Sequence, residues 1–102
     1  MVKNTNLKEV YSLDENDKKL MKLIVKENIF SKLMESYVAK EYELVEYWVK
    51  ELMNITSNSK LEDLKKAGND LVQKLENNEY VLDTELDKIR EIINILKISN
   101  NI

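Results

Sequence analysis

The stretch that decides the fold reads IFSKLMESYVAKEYELVEYWVKELM and occupies residues 29–53. It contains neither Gly nor Pro, and it is far longer than an ordinary strand. Its apolar side chains recur with the period of an α-helix, interrupted only at Glu41. One helix of this length would reach roughly 36 Å and could not be buried alone, so shorter elements must cover it. The apolar positions are Phe30, Leu33, Met34, Tyr37, Val38, Leu44, Val45, Trp48, Val49 and Leu52.

The composition of the chain limits its fold class. It has 102 residues, the size of one domain, with one Gly and no Pro. Sheets joined by tight turns need both residue types, so an all-α fold is predicted. Charged residues make up 34% and hydrophobic residues 43%, which is typical of a folded globule. We therefore predict a single helical domain over residues 1–102, with residues 1–11 flexible.

Apolar periodicity and polar breaks predict four helices, near residues 13–27, 29–54, 60–77 and 83–98. The sequence SLDE at residues 12–15 resembles a capping box, with Ser12 accepting from an early amide of the first helix. Small residues at Ala67 and Gly68 would let a neighbouring helix approach closely. Four amphipathic helices with short polar connections predict an antiparallel four-helix bundle whose spine is the long second helix.

The boundary between the first and second helices has two possible positions. An unbroken helix over residues 14–53 would be ~60 Å long, too long for a domain of this size. Asn28 favours a break at residues 27–28, because Asn tolerates the left-handed conformation at helix C-termini. The alternative is a break at residues 39–42, where Glu41 interrupts the apolar stripe.

The aromatic side chains of the second predicted helix divide into two groups. Trp48 lies on the apolar stripe with Val45 and Leu52, and we predict that it is substantially buried between this helix and the C-terminal hairpin. Tyr42 and Tyr47 point off the stripe, so at least one of them is expected at the surface. Exposed aromatic side chains are enriched at protein interfaces, which suggests partner binding.

The residue types exclude most catalytic chemistry. The chain has no His, no Cys and no Gly-rich phosphate loop, and Arg90 is its one guanidinium. We therefore predict a protein that is not an enzyme and needs no cofactor or metal. The net charge of −3, with acidic and basic residues intermixed, argues against nucleic-acid binding. A polar N-terminus and the absence of a long apolar run predict a cytoplasmic protein without a transmembrane segment.

Charged side chains group on two predicted helix faces. Lys18, Lys19, Lys22 and Lys26 give the first helix a basic face, which is either solvated or in peripheral contact with an anionic membrane surface. Glutamates within residues 41–46 are the densest acidic group. Their face is either solvated or a docking patch for a basic partner.

The segment at residues 74–97 resembles a known family. It begins KLENNEYVLDTELDKIREIINIL, and it is similar to a helix-turn-helix segment of enterocin A-type bacteriocin immunity proteins. The resemblance implies an antiparallel four-helix bundle that protects a producing cell from its own pore-forming peptide. It also implies a protein partner, a membrane receptor complex with bound bacteriocin, approached from the cytoplasm. The matching positions are Lys74, Leu75, Glu76, Tyr80, Leu82, Asp83, Leu86, Ile89 and Ile93.

Candidate partner-binding residues follow from this resemblance and from the exposed aromatic side chains. They are Tyr80, Leu82, Arg90, Lys97, Tyr42 and Tyr47. Tyr80 and Leu82 also have a packing interpretation, as the apolar plug of a helix–helix corner. The alternative function is a small non-enzymatic adaptor, in a phage or regulatory context, that binds through its helices.

Overall fold

The computed structural model of the protein describes residues 13–59 and 61–102, and these residues form helices without any β-strand. The all-α class is therefore confirmed. The four-helix bundle with a long second helix is not, because residues 29–55 form two shorter helices. Five helices occur in the described residues: α1 Glu15–Lys26, α2 Ile29–Val38, α3 Tyr42–Ile55, α4 Glu62–Glu76 and α5 Asp83–Ser99.

Asparagine in the left-handed conformation follows three of these helices. Asn28 (φ 52°) follows α1, Asn78 (φ 57°) follows α4 and Asn101 (φ 56°) lies just beyond α5. Asn adopts the left-handed conformation more readily than any residue except Gly, and a residue in this conformation commonly terminates a helix. The predicted break at residues 27–28 and the predicted end of the third helix near residue 77 are thus confirmed.

The second break, at residues 39–41, divides the long predicted helix. Lys40 has a φ of 59°, and its N–H donates to the Tyr37 carbonyl at 3.0 Å. The Glu41 N–H reaches back to the Ser36 carbonyl at 2.9 Å. This pair of bonds is a Schellman motif, which satisfies the last carbonyls of α2 and turns the chain out of the helix. Both positions considered for the break therefore exist in the fold.

The starts of α1 and α4 differ slightly from those predicted. Asp14 is the N-cap of α1, and its carboxylate accepts from the Asp17 N–H at 2.8 Å. α4 begins at Glu62 rather than at residue 60. The expectations for Ser12, Lys60 and the segment 1–11 lie outside the described residues.

The core is built around α3, which packs against α1, α2 and α4, while α5 packs against α4. The apolar side chains of α4 and α5 form one buried stripe on each helix, as the predicted helices at residues 60–77 and 83–98 require. Their buried members are Leu64, Ala67, Gly68, Leu71, Val72, Leu75, Leu86, Ile89, Ile92, Ile93 and Leu96. Within the residues described, no helix combines the length and the hydropathy that crossing a membrane requires.

Gly68 lies where side chains of α3 approach the backbone of α4 closely. A Cβ at this position would lie 2.9 Å from Met53 Cγ and 3.6 Å from Val49 Cγ2. The expectation that small residues here admit a neighbouring helix is therefore confirmed, and that neighbour is α3.

The predicted burial of Trp48 is confirmed in part. Its side chain is partly buried against the core, and it lines a groove beside α1 and α2, a position that the sequence did not predict. Lys32 Nζ lies 4.8 Å from the centroid of its ring. The break before Tyr42 lets α3 take a direction different from that of α2. A prediction based on one continuous helix could therefore not give the correct surroundings of Trp48. Leu23, which lines the same groove, is 41% exposed.

Candidate functional site

Two turns that are distant in sequence lie side by side. One joins α2 to α3, and the other joins α4 to α5. The backbone N–H of Leu82 donates to the Tyr37 hydroxyl at 3.0 Å, and the rings of Tyr42 and Tyr80 stack with centroids 4.2 Å apart at 15°. These two contacts tie the turns together at one corner of the molecule.

The corner carries an apolar surface, which we call the Tyr42–Tyr80 surface and define by Tyr42, Leu44, Tyr80 and Val81. Tyr42 is half-buried, whereas Leu44 is 42%, Tyr80 40% and Val81 73% exposed. Val38, the last residue of α2, is 75% exposed just before the turn. An open depression of about 480 Å³ lies among Lys40, Glu41, Tyr42, Glu43, Leu44 and Tyr80. Several exposed apolar side chains grouped in this way are typical of a protein-binding surface.

The α4–α5 turn is held by its own hydrogen bonds. The Asn78 N–H donates to the Leu75 carbonyl at 3.0 Å, and the Glu79 N–H to the Lys74 carbonyl at 2.9 Å, a second Schellman motif. The Tyr80 hydroxyl donates to Asn78 Oδ1 at 2.9 Å. Such a turn presents Tyr80 and its neighbour Val81 in one fixed arrangement, which favours binding because little entropy is lost on contact.

The rim of the surface is mainly acidic. Glu41, Glu43 and Glu79 are exposed, and none of them forms an ion pair with another described residue. Among the residues that the structure describes, Lys40 is the one cation lining the depression. The third glutamate of the acidic group, Glu46, pairs with Lys50 at 3.1 Å and lies outside this rim. The surface therefore suits a partner that presents apolar and basic side chains together.

The structure brings together only some of the candidate residues. Tyr42 and Tyr80 stack on each other, and Leu82 is fully buried beneath the same connection, which confirms its packing role. Tyr47 is 54% exposed and lines the groove beside Trp48, so the expectation that one of the two off-stripe tyrosines is exposed is confirmed.

The two basic candidates lie along α5, away from the turn. Arg90 pairs with Asp87 at 2.7 Å, and both side chains are exposed. Lys97 is half-buried and lines a small groove of about 150 Å³ shared with α1 and α2. Neither contributes to the Tyr42–Tyr80 surface.

Sequence reasoning missed Val38, Leu44 and Val81. Val38 and Leu44 lie on either side of Glu41, and the sequence pattern assigned both of them to the buried stripe of one long helix. Because that helix ends at Val38, both side chains are exposed instead. Val81 lies beside the buried Leu82 in the connection before α5, and its side chain is 73% exposed. The interruption at Glu41 was visible in the sequence, whereas no local pattern indicated the exposure of Val81.

The described residues hold no group of three or more acidic side chains placed to bind a metal ion. Comparison of the chain with family models, with curated proteins and with solved structures finds no match. The similarity to immunity proteins is therefore limited to the resemblance of residues 74–97. A proposal about function has to start from the geometry of the Tyr42–Tyr80 surface.

Proposed function

We propose that the protein acts by binding another protein through the Tyr42–Tyr80 surface, and that it confers immunity to a pore-forming bacteriocin from the cytoplasmic side of the membrane. The observation that carries the proposal is that the exposed surface overlaps the segment with the family resemblance. Tyr80 and Val81, two exposed members of the surface, belong to the segment 74–97 that resembles immunity proteins. Arg90 and Lys97 belong to the same segment but lie elsewhere on α5.

A binding function fits the chemistry of the surface better than catalysis does. Its side chains are aromatic and aliphatic, and the charged groups around it are carboxylates and one lysine. The chain has no His or Cys to act as a general base or nucleophile. Stacked aromatic rings and exposed aliphatic groups instead gain free energy by being removed from water.

The acidic rim suits a partner at the inner face of a membrane. Cytoplasmic loops of membrane proteins carry an excess of Lys and Arg. A receptor loop with basic and apolar residues would match both the carboxylates of Glu41, Glu43 and Glu79 and the apolar side chains between them. The proposed partner is therefore the cytoplasmic part of a membrane receptor complex with bound bacteriocin.

The direct test is expression of the protein in a bacteriocin-sensitive strain. The cells are challenged with a panel of related pore-forming bacteriocins and with any secreted peptide encoded beside the gene. Protection against at least one of them is expected. Unchanged sensitivity to all of them, with the protein present and folded, would refute immunity and leave the adaptor as the function.

A truncation after Leu96 is also expected to abolish protection, and it removes packing contacts together with the C-terminal surface. Asn100 Oδ1 accepts from the Leu13 N–H at 3.0 Å, and Asn100 Nδ2 donates to the Leu96 carbonyl at 2.8 Å. The truncation removes these contacts with the start of the first helix. Loss of protection would then reflect lost stability as well as lost binding, so point substitutions on the surface are the cleaner test.

A further inference from the structure

A second groove lies on a different part of the molecule, between α1 and α3. Leu23 and Glu27 form its α1 wall, and Ile29 and Lys32 of α2 lie between the two walls. The α3 wall carries Tyr47, Trp48, Glu51 and Ile55, and the groove has a volume of about 380 Å³.

Each wall is formed by residues that lie on one face of a helix. Tyr47, Glu51 and Ile55 follow one another at intervals of about one turn on α3, and Leu23 lies one turn before Glu27, the C-cap of α1. The α3 wall therefore extends over two turns, roughly 12 Å. A trough of this form, with apolar side chains along its length, suits the apolar face of an α-helix.

The apolar side chains of the groove are available for contact. Leu23 is 41% and Tyr47 54% exposed. Trp48 and Ile55 are half-buried. Burying aromatic and aliphatic surface of this kind is the main source of affinity in a helix–groove complex.

The charges of the groove select the partner. Glu27 and Glu51 stand on opposite walls, and neither forms an ion pair with any residue that the structure describes. The one lysine of the groove, Lys32, places its Nζ over the Trp48 ring at 4.8 Å, a cation–π contact. The carboxylates are thus left to pair with cations supplied by a partner.

We propose that this groove binds an amphipathic helix of a partner protein, in which Lys or Arg side chains flank the apolar face and pair with Glu27 and Glu51. The aliphatic face of that helix contacts Leu23, Tyr47 and Trp48. This binding is separate from the Tyr42–Tyr80 surface, and it does not depend on the immunity function.

Trp48 is the only tryptophan of the chain and reports on the groove directly. The probe is a synthetic helical peptide of about 18 residues, long enough to form a helix, that contains Leu and Lys at amphipathic spacing and no aromatic residue. We expect a saturable change in Trp48 emission on titration. The reference peptide has Glu in place of every Lys and should produce no change.

Matched variants separate the groove from general charge attraction. Glu27→Gln combined with Glu51→Gln removes two carboxylates from the groove, whereas Glu76→Gln with Glu91→Gln removes two exposed carboxylates from α4 and α5. The groove variant should bind the basic peptide about fivefold more weakly, the range expected for two partly exposed ion pairs. The control variant should bind as the wild-type protein does. Circular dichroism and thermal melting verify that both variants are folded.

Three results would overturn the proposal. The first is the absence of saturable binding of the basic peptide. The second is equal weakening in the groove and control variants, which would mean attraction to net charge alone. The third is a concentration-dependent dimer, seen by sedimentation and by Trp48 emission without peptide, that the groove variant disrupts, because the occupant would then be a second copy of the chain.

Discussion

At the scale of single residues, Lys40 holds a backbone conformation that is unfavourable for its residue type. Its φ is 59°, whereas the other positive-φ residues in the described part of the chain are Asn28, Asn78 and Asn101. Lys40→Gly removes the contact of Cβ with the backbone, so we expect the free energy of unfolding to rise by roughly 0.5–1 kcal/mol. Urea denaturation measures this change. Lys40→Ala, which removes the charge but keeps Cβ, should be near neutral, and equal stabilisation by both variants would contradict the explanation.

Trp48 contributes to stability as a half-buried residue. Its ring contacts Lys32 and, edge-on, Tyr47 at a centroid distance of 4.9 Å. Trp48→Ala should lower the free energy of unfolding by about 2 kcal/mol, roughly half the loss for a fully buried tryptophan. Chemical denaturation followed by circular dichroism measures the loss. A loss above roughly 4 kcal/mol would mean that the side chain is a core residue after all.

The Tyr37 hydroxyl is the link between the two turns of the corner. Tyr37→Phe leaves the part-buried Leu82 N–H without its acceptor, which should lower the free energy of unfolding by about 1–2 kcal/mol. Amide hydrogen exchange at Leu82 should become faster. Tyr80→Phe is the matched control, because its hydroxyl bonds to Asn78 at an exposed position, and it should change stability by less than about 0.5 kcal/mol. Equal losses in both variants would show that the corner does not depend on Tyr37.

At the scale of the elements, the contact between α3 and α4 depends on Gly68. Gly68→Val places a branched side chain against Met53 Cγ, which lies 2.9 Å from the position of a Cβ. We expect a loss of roughly 1–3 kcal/mol by overpacking, measured by thermal and urea denaturation. Asn69→Val, one residue later on the exposed side of α4, introduces the same side chain without the contact. A similar loss in both variants would contradict the packing explanation, and helix propensity could not replace it, because Val is a better helix former than Gly.

The helices that could be predicted from the sequence are those with one uninterrupted stripe. α4 and α5 meet this condition, and Asn78 marks the break between them. Residues 29–53 do not meet this condition, because their buried side chains would lie on two different faces of a single helix. If α2 and α3 were continuous, Leu33 and Val49 would lie roughly 160° apart around the axis, on opposite sides of one helix. The break at Lys40 lets each helix turn its own stripe to the core, and lysine is not a residue that signals such a break.

The same break explains which parts of the candidate surfaces could be predicted. Tyr42 and Tyr47 were recognised because they point away from the apolar stripe, and one of them is exposed. Val38 and Leu44 were assigned to the core because a continuous helix was assumed through residues 39–41. The pairing of Tyr42 with Tyr80 joins residues 38 positions apart, and no local pattern indicates such a contact.

At the scale of the whole molecule, α3 supplies side chains to both candidate surfaces. Its first turn carries Tyr42 and Leu44 to the corner, and its middle carries Tyr47 and Trp48 to the groove beside α1. The rest of the fold holds this helix in place, because α1, α2 and α4 pack against it and α5 packs against α4. A protein built in this way offers two separate contacts to partners from one rigid centre.

The most direct test of the account is a comparison of protection by two matched variants. Val81 is 73% and Ile98 79% exposed, and they lie near opposite ends of α5, so replacing either by Ser removes the same kind of surface at different places. Sensitive cells that express each variant are challenged with a bacteriocin against which the wild-type protein protects, and the minimal inhibitory concentration is measured. We predict that Val81→Ser loses protection while Ile98→Ser retains it, with equal amounts of folded protein. Retained protection by Val81→Ser with loss by Ile98→Ser would contradict the account and move the binding site to the C-terminal end of α5.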